Sequence, residues 1–203
     1  MTLNLGVLIS GRGSNLEAIL KAVADRRLDG RVALVVSNRS AAAGLEIAAR
    51  HGVPTQVLPH QGFPSRAAYD AALVDALRAR EVDTVALAGF DRIVSGTLLA
   101  AFPGRVVNIH PALLPSFPGL HAQRQALEHG VRVSGATVHL VDEQVDHGPI
   151  IAQAIVPVLD TDTEETLSER ILAEEHRIYP EALQRLASGR LQVVGRRVIG
   201  GLP

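Results

Sequence analysis

The first thirty residues already restrict the fold. Leu3–Ser10 is an apolar, strand-like run, followed at once by Gly11-Arg12-Gly13-Ser14-Asn15 and then by LEAILKAVADRRL, whose apolar positions recur at helical spacing. The same alternation continues. Val32–Ser37 predicts a second strand, Ala41–His51 a helix closed by Gly52, and Val53–Leu58 a short third strand. Ser65–Arg80 predicts an amphipathic helix with Ser65 as its N-cap, Thr84–Ala88 a wholly apolar fourth strand, and Ser95–Ala101 a short helix. Strands that alternate with helices pair in parallel, because each crossover returns the chain to the same end of the sheet. The expected class is therefore α/β: a three-layer, mostly parallel, Rossmann-like sheet with helices on both faces.

The fifth strand, Val106–His110, ends abruptly in Asn108-Ile109-His110-Pro111. It delivers an amide and an imidazole to its C-terminal lip, where open α/β sheets bind ligands. Pro111, Pro115 and Pro118 stiffen the loop that follows, and Gly119 restores backbone freedom before a helix near Arg124–His129 closed by Gly130. Val133–Val141 alternates as a mixed or edge strand. An acidic loop, Asp142–Pro149, separates it from a last strand at Ile150–Pro157. Thr163 and Thr166 are N-cap candidates for a long helix that carries Glu174-Glu175-His176-Arg177 and passes Tyr179-Pro180 with a kink or restart. Leu191–Val194 and Arg197–Ile199 read either as a terminal hairpin or as an extended tail.

Composition narrows function by exclusion. The 203 residues can bury a substantial core, and no repeat or change of composition marks a second domain. A hydrophobic share of 47%, a net charge of -1 and a pI near 6.7 argue against disorder and against a nucleic-acid-binding charge excess. Aromatics at 3%, with no Trp, disfavour a base-stacking surface. The absence of Cys excludes disulfides, thiolate metal sites and thiol nucleophiles. The first residues lack a basic leader and their apolar run is too short to span a bilayer, so a cytoplasmic protein without membrane contact is expected.

Two constellations carry chemistry. Gly11-Arg12-Gly13-Ser14-Asn15 lets backbone approach a ligand closely, with Ser14 or Asn15 capping a helix whose N-terminal amides favour an anion. It lacks the third glycine of a dinucleotide fingerprint and the Lys of a P-loop, which points to a small phosphate monoester; a tight turn without a ligand is the plain alternative. Asn108, His110 and Asp146 all fall at strand ends or in their loops. The amide can donate to a developing oxyanion, the imidazole can exchange a proton, and the carboxylate can orient the ring and raise its pKa. With no nucleophile elbow and no Cys, these parts suit acyl transfer to an external amine without a covalent enzyme intermediate. His110, His121, His139 and His147 do not have the spacing of a zinc motif, so no metal is expected; His121 and His139 read as a loop and a strand histidine with polar partners.

The segments LISGRGSNLEAIL, ALAGFDRIVS, VVNIHPALLPSFPGLHAQRQAL, GATVHLVDEQVDHGPIIAQ and EEHRIYPEAL closely resemble, in order and over nearly the whole chain, the folate-dependent phosphoribosylglycinamide formyltransferase family. The resemblance implies the formyltransferase fold as a single domain over 1–203, with a phosphate-binding half at 1–100 and a catalytic and folate-binding half at 101–203. It implies transfer of the formyl group of 10-formyltetrahydrofolate, as co-substrate, to the amine of phosphoribosylglycinamide in purine synthesis, by a monomer or homodimer. Carried over residue by residue, Asn108, His110 and Asp146 match the catalytic trio, and Gly13, Ser14 and Asn15 the substrate phosphate loop. Glu175 matches the acidic contact to the glycinamide substrate; from the helix alone it reads as an exposed charge. Arg66, Asp91, Arg92, Ile93, Val94, Asn108 and the loop Asp142, Glu143, Gln144, Val145, Asp146 match folate-holding positions, though either Arg also reads as a plain surface charge. Asp91 departs from the family, which commonly has an apolar residue there, and its carboxylate is expected to pair with Arg92 or face solvent. A formylfolate deformylase and a methionyl-tRNA formyltransferase are the related alternatives, each usually carrying a further domain for which 203 residues leave no room. A non-catalytic nucleotide-binding module is the alternative from another class; it would leave the trio idle.

Overall fold

The computed structural model describes residues 2–200. Its spine is one sheet in which Leu3–Ile9 (β1), Gly30–Ser37 (β2), Thr55–Val57 (β3), Thr84–Leu87 (β4) and Val106–His110 (β5) run parallel. Val133–Leu140 (β6) pairs antiparallel with β5, and Ile150–Pro157 (β7) antiparallel with β6. A terminal hairpin, Gln192–Val194 (β8) and Arg197–Ile199 (β9), completes the order β3-β2-β1-β4-β5-β6-β7-β9-β8. The hairpin alternative is thus the one adopted, with β9 joining β7 at Arg197 and Ile150.

Among the described residues six α-helices complete the layers: Ser14–Ala24 (α1), Gly44–Arg50 (α2), Arg66–Arg78 (α3), Gly96–Ala101 (α4), Ala122–Glu128 (α5) and Glu164–Ala187 (α6). Alternate strand residues feed two cores. Leu5, Val7 and Ile9 pack with the apolar stripes of α1 and α6, whereas Leu8, Val85 and Leu87 pack with Tyr69, Leu73 and Leu77 of α3 and Leu98 of α4. Side chains of successive strand residues leave opposite faces, so a doubly covered strand is buried at every position, as β4 is, with Val85, Ala86 and Leu87 apolar and the Thr84 hydroxyl donating to Asp83. The α/β, mostly parallel, three-layer class read from the alternation is the class observed.

Three local expectations change. The strand at 133–140 is neither mixed nor at an edge: it lies between β5 and β7, pairs antiparallel with both and is buried at every residue after Val133. Thr137 and His139 are covered by the loop after β5 and by the Asp142–Pro149 loop: Thr137 Oγ1 accepts the Leu114 amide at 3.1 Å, and His139 Nε2 lies 3.6 Å from Asp146 Oδ1. Secondly, Gly13 is the N-cap of α1, at φ +79°, and neither Ser14 nor Asn15 caps it. A Cβ at Gly13 would lie 2.5 Å from the Cα of Gly44, so close backbone approach selects glycine there. Thirdly, α6 does not restart at Pro180. Thr163 and Thr166 form a reciprocal capping box at its start, and burial of Ile178, Tyr179, Ala182 and Leu183 offsets the backbone hydrogen bond that proline lacks.

Candidate active site

The strand ends converge on a cleft at the C-terminal edge of the parallel strands. β5 presents Asn108 and His110, and across the antiparallel pair Asn108 faces His139 of β6. The loop after β6 then returns Asp146 to the same place, with Asp146 at φ +50°, a conformation that a non-glycine residue adopts only when its surroundings hold it. Asp146 Oδ2 lies 3.2 Å from His110 Nδ1 and accepts the Gly119 amide at 2.8 Å. Its Oδ1 accepts from Asn108 Nδ2 at 3.4 Å and lies 3.6 Å from His139 Nε2. Asn108 Nδ2 also reaches His139 Nε2 at 3.2 Å, and His139 Nδ1 reaches the Leu140 carbonyl at 2.8 Å. Four side chains from three segments therefore form one network.

The electrostatics differ from the simple expectation for His110. Burial pushes its imidazole below the ordinary histidine range, and the pull of Asp146 and of the Phe117 carbonyl, 2.8 Å from Nε2, only partly offsets this. For Asp146, burial acts to raise the carboxyl. The adjacent His139 ring, the Gly119 amide and the charge of His110 together hold it below the ordinary carboxylate value. The carboxylate is therefore ionised at neutral pH and is the group that opposes loss of the His110 proton.

On one side of this network is a cavity of about 350 Å³, walled by Gly89–Val94, Gly119, Leu120, Val141, Asp142 and Gln144–Asp146. On the other is a cavity of about 340 Å³ lined by Gly11–Asn15, Pro111, Gln123, Ser168, Leu172 and Glu175. Gly89 and Ile109 border both, so the two meet beside Asn108 and His110. Each has the size of a small-molecule site. The second contains the start of α1, whose first amides lack helical partners and face an anion favourably.

Glu175 is not an exposed helix charge. It is 7% exposed and accepts from Asn15 Nδ2 at 2.7 Å. Burial raises its carboxyl above the usual range, against the Asn15 hydrogen bond and the positive charge of Arg12. Asp91 does not pair with Arg92: it is exposed to solvent, and its carboxylate accepts from Ser10 Oγ at 2.9 Å, from Asn38 Nδ2 at 2.8 Å and from the Arg39 guanidinium. These bonds tie together the segments following β1, β2 and β4 and turn the Asp91 carboxylate to those partners, while Asp91, Arg92, Ile93 and Val94 line the first cavity. Arg66, exposed in the first turn of α3, is not on that wall, and Glu143 Oε1 lies instead near Gly96.

The residues missed by sequence reasoning are His139, Gln123, Ser168 and Leu172. Ser168, Leu172 and Glu175 are spaced as one helical stripe, a signal that was available once Glu175 was singled out. His139 carried no such signal, because its place opposite Asn108 depends on the β5–β6 register. Among the described residues no helix is long and apolar enough to cross a membrane, and no cluster of three or more His, Cys, Asp or Glu side chains is arranged to hold a metal ion.

Comparison with known proteins gives the same picture. The formyl transferase family matches residues 3–183. The chain is 45% identical to the phosphoribosylglycinamide formyltransferase of Escherichia coli (strain K12) over 191 residues, covering 94% of this chain and 90% of that protein. It is 50% identical to the trifunctional purine biosynthetic protein adenosine-3 of Drosophila pseudoobscura pseudoobscura, covering 94% of this chain but spanning only 14% of that protein. A crystal structure of glycinamide ribonucleotide transformylase 1 from Symbiobacterium toebii superposes with a TM-score of 0.97 at 58% identity, covering 98% of this chain and 94% of that one. Sequence and fold agree, and the chain belongs to the formyl transferase family.

Proposed function

We propose that the protein transfers the formyl group of 10-formyltetrahydrofolate to the amine of phosphoribosylglycinamide in purine synthesis. The observation that carries this is the junction of two cavities at one amide, one imidazole and one carboxylate. The glycine-lined cavity takes the phosphoribosyl substrate: Gly13, Ser14 and Asn15 hold its phosphate and Glu175 its glycinamide end. The other takes the folate. Arg92, Ile93, Val94 and the backbone of the Asp142–Asp146 loop wall the pterin end, and Arg66, outside that wall, is left to the distal carboxylates of the folate. Such a division places the phosphate site in the first half of the chain and the chemistry in the second.

In the reaction the neutral glycinamide amine attacks the formyl carbon. Asn108 Nδ2 and the His110 ring donate to the oxyanion that develops on the formyl oxygen. The new carbon–nitrogen bond forms as the bond to the folate nitrogen breaks, and the proton lost by the amine passes by way of Asp146 to that leaving nitrogen. His139, whose Nε2 lies 3.2 Å from Asn108 Nδ2 and 3.6 Å from Asp146 Oδ1, fixes their orientation.

The direct test is to incubate the purified chain with 10-formyltetrahydrofolate and one of three acceptors: phosphoribosylglycinamide, water alone or methionyl-tRNA. Formylated phosphoribosylglycinamide as the dominant product is expected, whereas equal or faster loss of the formyl group to water or tRNA would refute the assignment.

Glu175 gives a second test, through linkage. Its carboxyl is raised, so the folded state takes up a proton at a higher pH than the unfolded chain does. Above the folded-state value the buried charge lowers stability, and that cost is relieved as pH falls through it. Glu175→Gln is therefore expected to raise Tm in alkaline solution while raising KM for phosphoribosylglycinamide. It should also abolish the rise in that KM expected of the parent on acidification. Calorimetry with KM measured across pH checks all three; a lower Tm with an unchanged KM would show that Glu175 is only structural.

A further inference from the structure

The formyl transferase family matches only as far as residue 183, and the β8–β9 hairpin lies beyond it. The hairpin is exposed along most of its length, as a tail without a role would be. Its turn, Gly195–Arg196, has one contact set that sets it apart. Arg196 Nη2 donates to the His147 carbonyl at 2.6 Å, and Nη1 lies 2.6 Å from His147 Nε2 and 3.1 Å from Nδ1. The His147 ring is in turn 2.8 Å, through Nδ1, from Asp142 Oδ2. With its proton on Nδ1 the imidazole donates to Asp142, while Arg196 Nη1, close to both ring nitrogens, lies against the ring.

The two side chains joined by this contact, Asp142 and His147, stand at the two ends of the loop whose middle, Gln144–Asp146, walls the first cavity. Asp142 Oδ1 also accepts the Gln144 amide at 3.0 Å. The Asp142 carboxyl is opposed by burial but held below its ordinary value by His147, the Gln144 amide and Arg196. The base of the loop is rigid on the far side too: a Cβ at Gly148 would lie 1.9 Å from the Leu140 carbonyl oxygen, so the backbones are in direct contact there. Arg196 itself is anchored by its neighbour Arg197, paired to Ile150 at the start of β7. One guanidinium thus ties the closing residue of the loop to the sheet edge by both its backbone and its ring.

We propose that Arg196 is a positioning residue for the folate co-substrate: the terminal hairpin latches the Asp142–His147 loop in the shape that walls the cavity. This rests on the assignment of that cavity to the folate. Asp146 keeps its own bonds to Gly119, His110 and Asn108 whatever Arg196 does. Loss of the latch therefore loosens Gln144 and Val145 more than the reacting centre, and its effect falls on folate affinity before turnover.

The test compares Arg196→Ala and Arg196→Lys in the full chain, using steady-state kinetics and amide hydrogen exchange. One hydrogen bond from a charged donor to the His147 carbonyl corresponds to at least about a tenfold effect, so Arg196→Ala should raise KM for 10-formyltetrahydrofolate about tenfold. Its kcat and its KM for phosphoribosylglycinamide should change much less. Lysine should restore only part of the loss, since one ammonium cannot serve ring and carbonyl in the same forked geometry. Exchange over residues 142–148 should accelerate while exchange over β7 stays as in the parent. Equal rises in both KM values, or an unchanged folate KM, would overturn the proposal. If the parent chain forms no formylated product, the functional assignment falls by itself, and the latch is then judged by loop exchange alone: unchanged exchange in Arg196→Ala overturns it.

Discussion

Replacement of Asn108 or of His110 by alanine is expected to leave a folded protein whose kcat is lower by ~10²–10³, the usual cost of removing one oxyanion donor. Both residues sit on β5, whose pairing with β4 and β6 is made by backbone groups that the substitution does not alter. KM for the phosphoribosyl substrate should move little, because the glycine loop and Glu175 lie in the other cavity. A donor acting only as charge develops lowers kcat and kcat/KM together. Circular dichroism and Tm establish the fold, and stopped assays give the rate. Wild-type turnover by either folded variant would remove that residue from the mechanism.

Asp146→Asn is expected to be at least as damaging, with kcat lower by roughly 10²–10⁴, the range ascribed to a positioned proton-transfer group. The amide keeps the shape of the side chain and can still accept from the Gly119 amide. It loses the charge that faces His110 at 3.2 Å and His139 at 3.6 Å. The sign of the accompanying pKa change follows directly. Burial already depresses His110 and Asp146 opposes that depression, so removing the carboxylate lets the imidazole titrate at still lower pH. Histidine resonances followed by NMR across pH should show this further downward shift in the variant, and an upward or absent shift would contradict the pairing. Stability has its own signature. The Asp146 carboxyl titrates below its unfolded value, so its contribution is present above the unfolded carboxyl range and is lost as pH falls through the folded-state value. The parent should therefore lose this contribution in acid, while Asp146→Asn should not.

Much of the architecture can be read locally because its causes are local. Apolar runs of strand length alternating with helical-period segments specify covered parallel strands, and Ser65 and the Thr163–Thr166 pair mark helix starts through bonds to amides three residues away. The cap of α1 is not legible locally because its determinant is the close approach of Gly13 to Gly44, 31 residues on. The carboxylates were read least well. Glu175 looks like a surface charge until Asn15, 160 residues distant in sequence, is seen to donate to it. Asp91 looks like a partner for its neighbour Arg92 until β2 brings Asn38 and Arg39 to it.

By itself, then, the sequence determined the fold class, the starts of α3 and α6, the glycine turn and the three residue types placed at strand ends, since each depends on short-range sterics, periodicity or hydrogen bonds within a few residues. Only the tertiary structure decided that His139 completes the Asn108–Asp146 network, that Glu175 is buried, that Asp91 turns to Arg39, and that the terminal hairpin reaches His147. Those outcomes depend on strand register and on which distant segments meet at the sheet edge. There, burial and neighbouring charge set whether a titratable side chain stays ionised, and neither acts through sequence proximity.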